Sequence, residues 1–321
     1  MTKKGHPKNQ HYVPQFLLRN FSTGNKKRVF TFDKSNGKQF LSSTRNLASE
    51  TKFYDVELDG KQLSFDPFLT RMEASVSGII KSIVKRESLV HLTEKDRVSL
   101  SLFSAVQQLR VKGTRQRMAS INNGIRRVLA ERGIEPGDVV PEMTPEDIKR
   151  QSIAQISEAK QTAKHFHDKS WILYRAPRQS PFITSDNPIV LHNLAMLPEH
   201  RGSGLTSPGV EVHFPISKRL SICFLCPSTE RALFRGLAQV KQIGQFCKAF
   251  PIKIAPMKEI ADAISKGTVL ELNRDNVMHQ NSLQVLYSSR FLFSSTDNFD
   301  LVKDMLAADP TLADPPEMVV R

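Results

Sequence analysis

A chain of 321 residues with 39% hydrophobic content can bury a large core, and its length predicts one large domain or two modest ones. The longest apolar run, ICFLC at residues 222–226, is far shorter than the roughly 20 residues that a membrane span requires, so no transmembrane helix is predicted. The first 30 residues lack a signal-peptide pattern, and three cysteines argue against a disulfide framework, so we predict a cytoplasmic protein.

The net charge of +14 is concentrated in two segments of the chain. Residues 1–32 contribute +7 and residues 110–132 contribute +6, which leaves the rest of the chain nearly neutral. If the fold brings the two segments together, they would form a basic surface suited to nucleic acid or another phosphate-bearing ligand. The alternative is that they form a solvated N-terminal arm and a solvated helix face.

The N-terminal part is predicted to contain a short helix and two hairpins. Pro14 suits the first position of a short helix, which the sequence STG at 22–24 ends. RVFTF and KQFLSS flank the turn sequence DKSNG, and KFYDVEL meets KQLSF through Asp59-Gly60. Both patterns are typical of β-hairpins.

Three long helices are predicted in the middle of the chain. Apolar residues recur with the helical period over residues 66–86. Thr93 and Asp96 begin a second helix that continues to Gly133, with a break in its phase at 112–114. The sequence TPED at 144–147 begins a third helix that ends near His165.

After residue 169 the sequence alternates between strand-like and helical segments. The short β-favouring runs are SWILYRA, FIT, PIVLH, GVEVHFPI and LSICFLC, with a later one at RFLF. Helices are predicted near 228–248, 256–265, 274–286 and 298–307. The order predicts an α+β fold with N-terminal strands and hairpins, long central helices, a mainly antiparallel sheet in the second half and C-terminal helices.

We predict that residues 1–321 form a single domain. A subdivision would separate a helical part with the N-terminal hairpins, residues 1–168, from a sheet-containing part, residues 169–321.

Glu73 lies within the apolar stripe of the helix predicted at 66–86, where a carboxylate would be buried. A buried charge is costly unless it is paired, so the fold should supply an arginine, a histidine or a metal ion. Gln107 and Arg110 lie on or beside an apolar face of the next helix. A structural ion pair of Glu73 with Arg110 or Arg115 and an active-site role for Glu73 both remain open.

The sequence FITSDNPIV places Asp186 and Asn187 directly after a short strand. Pro188 disfavours a helical conformation of the residue before it, and Asp and Asn are typical of turns. A carboxylate at a strand end can serve as a metal ligand or a general base. It can equally form a turn in which the side chain satisfies its own backbone.

His11 precedes the short helix that Pro14 is predicted to begin. The free amides and partial positive charge of a helix N-terminus favour anions, so a phosphate bound there would lie near His11, with Arg19 one turn further on. The alternative is a hydrogen bond from His11 to local backbone. Cys223 and Cys226 form a CxxC pattern, but in a strand they would point to opposite faces, so no zinc site is predicted from them.

Several sequences occur in a characteristic order from residue 9 to about residue 295. They are NQHYVPQFLLRNF, RMEASV, QQLRVKGTRQR, WILYR, FITSDNPIV and QNSLQVLYSSR. In these sequences the chain resembles the mostly bacterial domain-of-unknown-function family 4238. The resemblance implies that the whole chain is one module, but it implies no activity. It draws attention to the positions His11, Glu73, Arg110, Arg115, Asp186 and Asn187.

Two functional hypotheses follow from these residues. In the first, the protein is a metal-dependent hydrolase of nucleic acid or another phosphodiester. The predicted catalytic residues are His11, Glu73, Asp186 and Asn187, with Glu73 and Asp186 holding Mg²⁺ or Mn²⁺. The predicted substrate-binding residues are Arg19, Gln107, Arg110, Arg115 and Arg117. In the alternative, the protein binds nucleic acid or a nucleotide without catalysis, through residues 1–32 and 110–132.

Overall fold

The computed structural model describes residues 9–58, 60–193, 204–243 and 254–316. The turn residue Asp59, three basic residues of the N-terminal segment (Lys3, Lys4 and Lys8) and Cys247 therefore lie outside the described residues. Within these ranges, no helix has the length and apolar character needed to cross a membrane.

The strands of the described ranges form two larger sheets and two strand pairs. They are β1 (Asn9–His11), β2 (Arg28–Asp33), β3 (Lys38–Ser43), β4 (Ser49–Thr51), β5 (Asp55–Leu58), β6 (Lys61–Ser64), β7 (Ser170–Arg175), β8 (Thr184–Ser185), β9 (Val190–Asn193), β10 (Val210–Pro215), β11 (Leu220–Leu225), β12 (Val269–Glu271) and β13 (Phe291–Ser294). The five-stranded sheet has the order β12-β7-β11-β10-β9, and the four-stranded sheet has the order β3-β2-β13-β8. All neighbours pair antiparallel except β12 and β7. The two predicted hairpins are confirmed as β2–β3 and β5–β6.

Helices lie between and around these sheets. They are α1 (Gln15–Arg19), α2 (Asp66–Arg86), α3 (Glu94–Leu109), α4 (Lys112–Glu131), α5 (Pro136–Val139), α6 (Pro145–Ser157), α7 (Ala159–His167), α8 (Pro227–Ile243), α9 (Ala255–Lys266), α10 (Arg274–Tyr287) and α11 (Asp300–Ala308). The predicted α+β class is confirmed, and α2 has the bounds that its apolar period predicted.

Two predicted helices are each divided in the structure. The helix predicted from Thr93 to Gly133 ends at Arg110, and Val111 has an extended backbone before α4 begins. Gly113 lets the start of α4 approach the C-terminal part of the chain, because an added Cβ would lie only 2.8 Å from Ser289 Oγ. The helix predicted from 144 to 165 is likewise interrupted at Glu158, between α6 and α7.

The five-stranded sheet separates two apolar layers. On one face, Phe224 packs edge-on against Phe166 of α7 and Trp171, and Phe214 contacts Phe103 of α3. This face belongs to the largest buried cluster, which also contains Leu17 of α1, so the N-terminal and C-terminal parts share one core. On the opposite face, Ile172, Cys223 and Leu225 pack against α9.

Candidate functional site

An open cavity of about 420 Å³ lies where β1, α1 and α2 meet, and we call it the His11 cavity. The polar residues that carry its chemistry are His11, Gln15, Arg19, Asp66, Thr70 and Glu73. Three of them, His11, Arg19 and Glu73, were predicted as site residues from the sequence. The structure therefore brings these three together in one cavity.

The N-terminal wall of the cavity depends on a strand pair that sequence patterning did not predict. Strand β1 pairs antiparallel with β4, and this pairing sets His11 opposite Ser49. The next turn of chain leads into α1, which presents Gln15 and Arg19 one helical turn apart to the cavity.

The other wall of the cavity is a polar stripe on α2. Asp66, Thr70, Glu73 and Ser77 are spaced at i, i+4, i+7 and i+11, so they share one face of the helix. This stripe borders the apolar residues of α2 that pack into the core. Gln15, Asp66 and Thr70 were not identified as site residues from the sequence, although the helical spacing of Asp66 and Glu73 was visible there.

The hydrogen bonds of His11 define the tautomer of its imidazole ring. Nδ1 lies 3.0 Å from the carbonyl oxygen of Leu47, which can only accept, so Nδ1 carries the proton. Nε2 is then an acceptor and receives the side-chain amide of Gln15 at 2.9 Å. Burial lowers the pKa of His11, against the opposing effects of the Leu47 hydrogen bond and Glu73. The imidazole is therefore neutral at neutral pH and can accept a proton.

Arg19 is connected to His11 through Gln15. Its Nη2 donates to Gln15 Oε1 at 2.7 Å, on the exposed side of the cavity. Helix α1 itself offers no anion site, because it has five residues and the amides of Leu17 and Leu18 donate to Pro14 O. Anion binding at this end of the molecule would therefore depend on the guanidinium of Arg19 rather than on a helix N-terminus.

Glu73 is held by the predicted ion pair with Arg110. Its Oε1 lies 2.6 Å from Arg110 Nη1, and the side chains are 24% and 0% exposed, respectively. Arg110 Nε donates to Gln107 Oε1 at 2.8 Å, and Gln107 Nε2 donates to Tyr12 O at 3.0 Å. Gln107 and Arg110 thus orient Glu73 from behind the cavity. The prediction that Glu73 is buried in the core is wrong. Its side chain lies at the edge of the apolar stripe and remains partly exposed.

Asp186 lies in a different place from the His11 cavity. Its carboxylate accepts hydrogen bonds from the amides of Ser289 and Arg290, both at 2.8 Å, and of Phe291 at 3.0 Å. Burial raises the pKa of Asp186, while these hydrogen bonds act in the opposite direction. Asp186 lines a second cavity, of about 530 Å³, together with Ser289 and Arg290.

The structure therefore does not bring Asp186 beside Glu73 in one cavity. The physical reason is that the Asp186 carboxylate is anchored to the start of β13, more than 100 residues along the chain, rather than to a local turn. Asn187 is anchored in the same region, since its Nδ2 donates to Tyr287 O at 3.0 Å. Asn187 holds the segment before β9 against the end of α10, and Asp186 holds it against the residues that follow this helix.

The other predicted substrate-binding arginines also lie outside the His11 cavity. Arg115 donates to Ser152 Oγ at 3.0 Å and to Phe53 O at 2.8 Å, and its guanidinium stacks over the Phe53 ring. Arg117 is largely buried and donates to Thr114 Oγ1 at 3.0 Å. The contacts of Arg115 attach α4 to its neighbours, whereas the Arg117 hydrogen bond lies within α4.

Other basic residues of segment 110–132 are also engaged within the protein. Lys112 pairs with Glu50 at 2.6 Å, and Arg126 donates to the carbonyl oxygen of Val140. Arg127 lies 3.9 Å from Glu131 on an exposed surface. Lys112 and Arg126 therefore connect α4 to neighbouring segments, whereas the Arg127 pair lies within the helix.

Residues 9–298 match the family described as "Protein of unknown function (DUF4238)". The match covers most of the chain and confirms the resemblance found in the sequence, so the chain belongs to this family. No curated protein and no solved structure matches the chain.

Proposed function

We propose that this member of the DUF4238 family is a hydrolase of phosphodiesters, acting on nucleic acid or another phosphodiester, and that the His11 cavity is its active site. The observation that supports the proposal is the composition of one open cavity. It combines a neutral histidine, an arginine and two carboxylates, which are the groups that phosphodiester hydrolysis uses.

His11 is the proposed general base. Its Nε2 acceptor faces Gln15, so a substrate or water would take the place of the Gln15 amide at 2.9 Å and transfer a proton to this nitrogen. The Nδ1 hydrogen bond to Leu47 O keeps the ring in the required tautomer. Arg19 would bind the phosphate and offset the negative charge that develops on it.

The proposal includes a divalent metal ion, Mg²⁺ or Mn²⁺. Its proposed ligands are Glu73 and Asp66, instead of the Glu73 and Asp186 predicted from the sequence. Glu73 and Asp66 line the cavity together, and Asp186, which accepts hydrogen bonds from three amides, does not line it. The described residues of the cavity do not place three metal-ligating atoms within 4.8 Å of one another. Mg²⁺ is commonly bound through one or two carboxylates plus substrate phosphate and water, and Asp66 with Glu73 fits that requirement.

The alternative, a non-catalytic nucleic-acid or nucleotide-binding protein, has less support. It relies on the basic segments 1–32 and 110–132, and the contacts of Arg115, Arg117 and Arg126 are internal. A cytoplasmic location and a phosphate-bearing partner belong to the proposal in either form.

The proposal is tested with bis(p-nitrophenyl) phosphate and with single-stranded DNA and RNA oligonucleotides, each in Mg²⁺, Mn²⁺ or EDTA. We expect metal-dependent cleavage that EDTA abolishes. His11→Gln should lower kcat by a factor on the order of 10²–10⁴, the usual contribution of a positioned general base. The circular dichroism spectrum should not change.

His91→Gln is the matched control. His91 is also partly buried and bonds to a side chain, Ser82 Oγ at 2.8 Å, but it does not line the His11 cavity. We expect wild-type kcat for this variant. Oligonucleotide binding without cleavage under every metal condition would favour the binding alternative, and equal kcat for wild type and His11→Gln would exclude His11 as the base.

A further inference from the structure

The five-stranded sheet carries a buried polar group on the face that packs against α9. Glu211 and His213 are two residues apart on β10, so their side chains share one face of the sheet. His213 is paired directly with Cys223 across the β10–β11 ladder, which places the thiol on the same face. The strand pairing therefore brings a carboxylate, an imidazole and a thiol together.

The side chains of this group converge inside the protein. One potential ligand atom from each of Glu211, His213 and Cys223 lies within 4.8 Å of the other two, and the residues are only 8%, 4% and 0% exposed. Among the described residues this is the one group of three or more His, Cys, Asp or Glu side chains with that geometry.

His213 supplies a second, independent observation. Both of its ring nitrogens are buried and have no hydrogen-bond partner in the described part of the chain. The nearest carboxylate contact, from Nε2 to Glu211 Oε2, is 3.6 Å, which is too long for a hydrogen bond. Buried polar groups are nearly always satisfied, so an imidazole with two unsatisfied nitrogens beside a thiol indicates a ligand.

We propose that Glu211, His213 and Cys223 bind a zinc ion. Zinc is bound in proteins by cysteine sulfur, histidine nitrogen and carboxylate oxygen, at about 2.0–2.3 Å. A thiolate and an imidazole favour Zn²⁺ over Mg²⁺ or Mn²⁺, which prefer oxygen ligands. This zinc site is therefore distinct from the magnesium or manganese ion proposed for the His11 cavity. Three protein ligands leave a fourth position for water.

The charges around the group are compatible with a divalent cation. On binding Zn²⁺, the Cys223 thiol and a protonated Glu211 carboxyl would each release a proton to solvent. The two negative charges of the thiolate and the carboxylate would then balance the two positive charges of the ion.

Other polar groups face the same region and define the competing explanation. Lys169 is buried and donates to Val210 O at 2.9 Å, and its charge interacts with Glu211 and Cys223. Tyr174 lies beside Cys223, while His192 and His279 contact each other at a ring distance of 5.0 Å. A purely structural role would have the Lys169 ammonium balance Glu211, without any metal.

The test uses the full chain, reconstituted with zinc chloride and freed of unbound metal by gel filtration. Mass spectrometric analysis should find one zinc per chain in the wild type, and Cys223→Ala and His213→Ala should lose it. Reconstitution with Co²⁺ should give a thiolate-to-cobalt charge-transfer band in the near ultraviolet.

Cys226→Ala is the matched control, because Cys226 is also a buried cysteine but its Sγ bonds to Ser228 Oγ at 3.0 Å instead. It should retain both the zinc and the cobalt band. Wild-type protein without bound zinc and without the cobalt band would overturn the proposal, and this result does not depend on whether any variant folds. A zinc content equal in Cys223→Ala and wild type would overturn it as well.

Discussion

The His11 cavity and the Asp186 network, which comprises Asp186, Asp33, Ser289 and Arg290, use carboxylates in opposite ways. In the network, Asp186 receives three backbone amides, and Asp33 receives the guanidinium of Arg290 at 2.9 and 2.7 Å. In the cavity, Glu73 has one short bond to Arg110 and remains 24% exposed. A carboxylate that is saturated by the fold holds segments together, whereas one that still faces solvent can contact a ligand.

The two regions also show two uses of a distinctive sequence motif. The SDNP sequence that contains Asp186 is distinctive, yet the side chains of Asp186 and Asn187 bond to backbone at the start of β13 and at the end of α10. The His11 cavity is lined by residues of another distinctive sequence, such as His11 and Gln15 of NQHYVPQFLLRNF, and by residues of α2 such as Asp66. A sequence motif can therefore mark a contact between distant segments of the chain rather than a catalytic residue.

The largest expected effect on stability concerns the pair that supports the cavity. Glu73→Ala should lower the free energy of unfolding by about 3–5 kcal/mol, because it leaves the Arg110 guanidinium buried without its counter-charge. Urea unfolding at neutral pH measures the loss. Glu131→Ala removes an ion pair with Arg127 in which both side chains are about two-thirds exposed, so it should cost less than about 1 kcal/mol. Equal losses for the two variants would mean that Glu73 is not needed to balance a buried charge.

The next largest effect concerns Asp186, and it tests whether this residue serves stability alone or also catalysis. Asp186→Asn should destabilise the protein by roughly 1–3 kcal/mol, because the amide group cannot accept all of the hydrogen bonds that the carboxylate accepts. Its kcat for phosphodiesters should equal that of the wild type when measured well below the melting temperature. A loss of kcat without a loss of stability would instead support a catalytic role for Asp186.

Local patterns predicted the elements whose ends are marked in the sequence. Helix α2 has an apolar period and a proline in its first turn, so its bounds were predictable. The break between α3 and α4 was predicted at 112–114 and lies at Arg110 and Val111 in the structure, so the sequence placed it slightly too late in the chain. Strand β1 has three residues and pairs with β4, about 40 residues away, which no local period reveals.

Residues of the candidate site could be predicted where a polar side chain stands in an unusual place in the local sequence pattern. Glu73 in an apolar stripe and His11 before a proline both attracted attention, and both line the cavity. The partners of Asp186 could not be found, because they are backbone amides of a distant strand. Glu211, His213 and Cys223 were missed because their convergence depends on strand register, although the alternation in VEVHF showed two polar residues on one face.

A smaller effect concerns acid stability in the Asp186 network. The hydrogen bond from Arg290 is the main cause that lowers the pKa of Asp33 from 3.8 to about 2. A carboxyl with a lower pKa in the folded state stabilises the fold above its unfolded pKa, and this stabilisation is lost as the pH falls through the folded value. Because Arg290 is 52% exposed, the contribution should be only about 1 kcal/mol, lost between pH 4 and pH 2.

Asp33→Asn tests this assignment through the pH dependence of urea unfolding. The variant should lose less stability than the wild type as the pH falls through that window, and Arg290→Gln should behave in the same way. Parallel curves for the wild type and both variants would show that the ion pair does not contribute to acid sensitivity.

The smallest expected effect concerns the salt dependence of nucleic-acid binding. This measurement compares Arg19 of the His11 cavity with the basic residues of α4. Each phosphate contact to single-stranded DNA contributes about 0.7 to the slope of log K against log salt concentration. Arg126 and Arg127 already contact Val140 O and Glu131, so their joint replacement by alanine should leave the slope unchanged. Arg19 lines the cavity and is exposed, so Arg19→Ala should reduce the slope by about 0.7. Fluorescence anisotropy with a labelled oligonucleotide at several salt concentrations measures both. A reduction of about 1.4 for the double variant, with no change for Arg19→Ala, would instead place the phosphate contacts on α4.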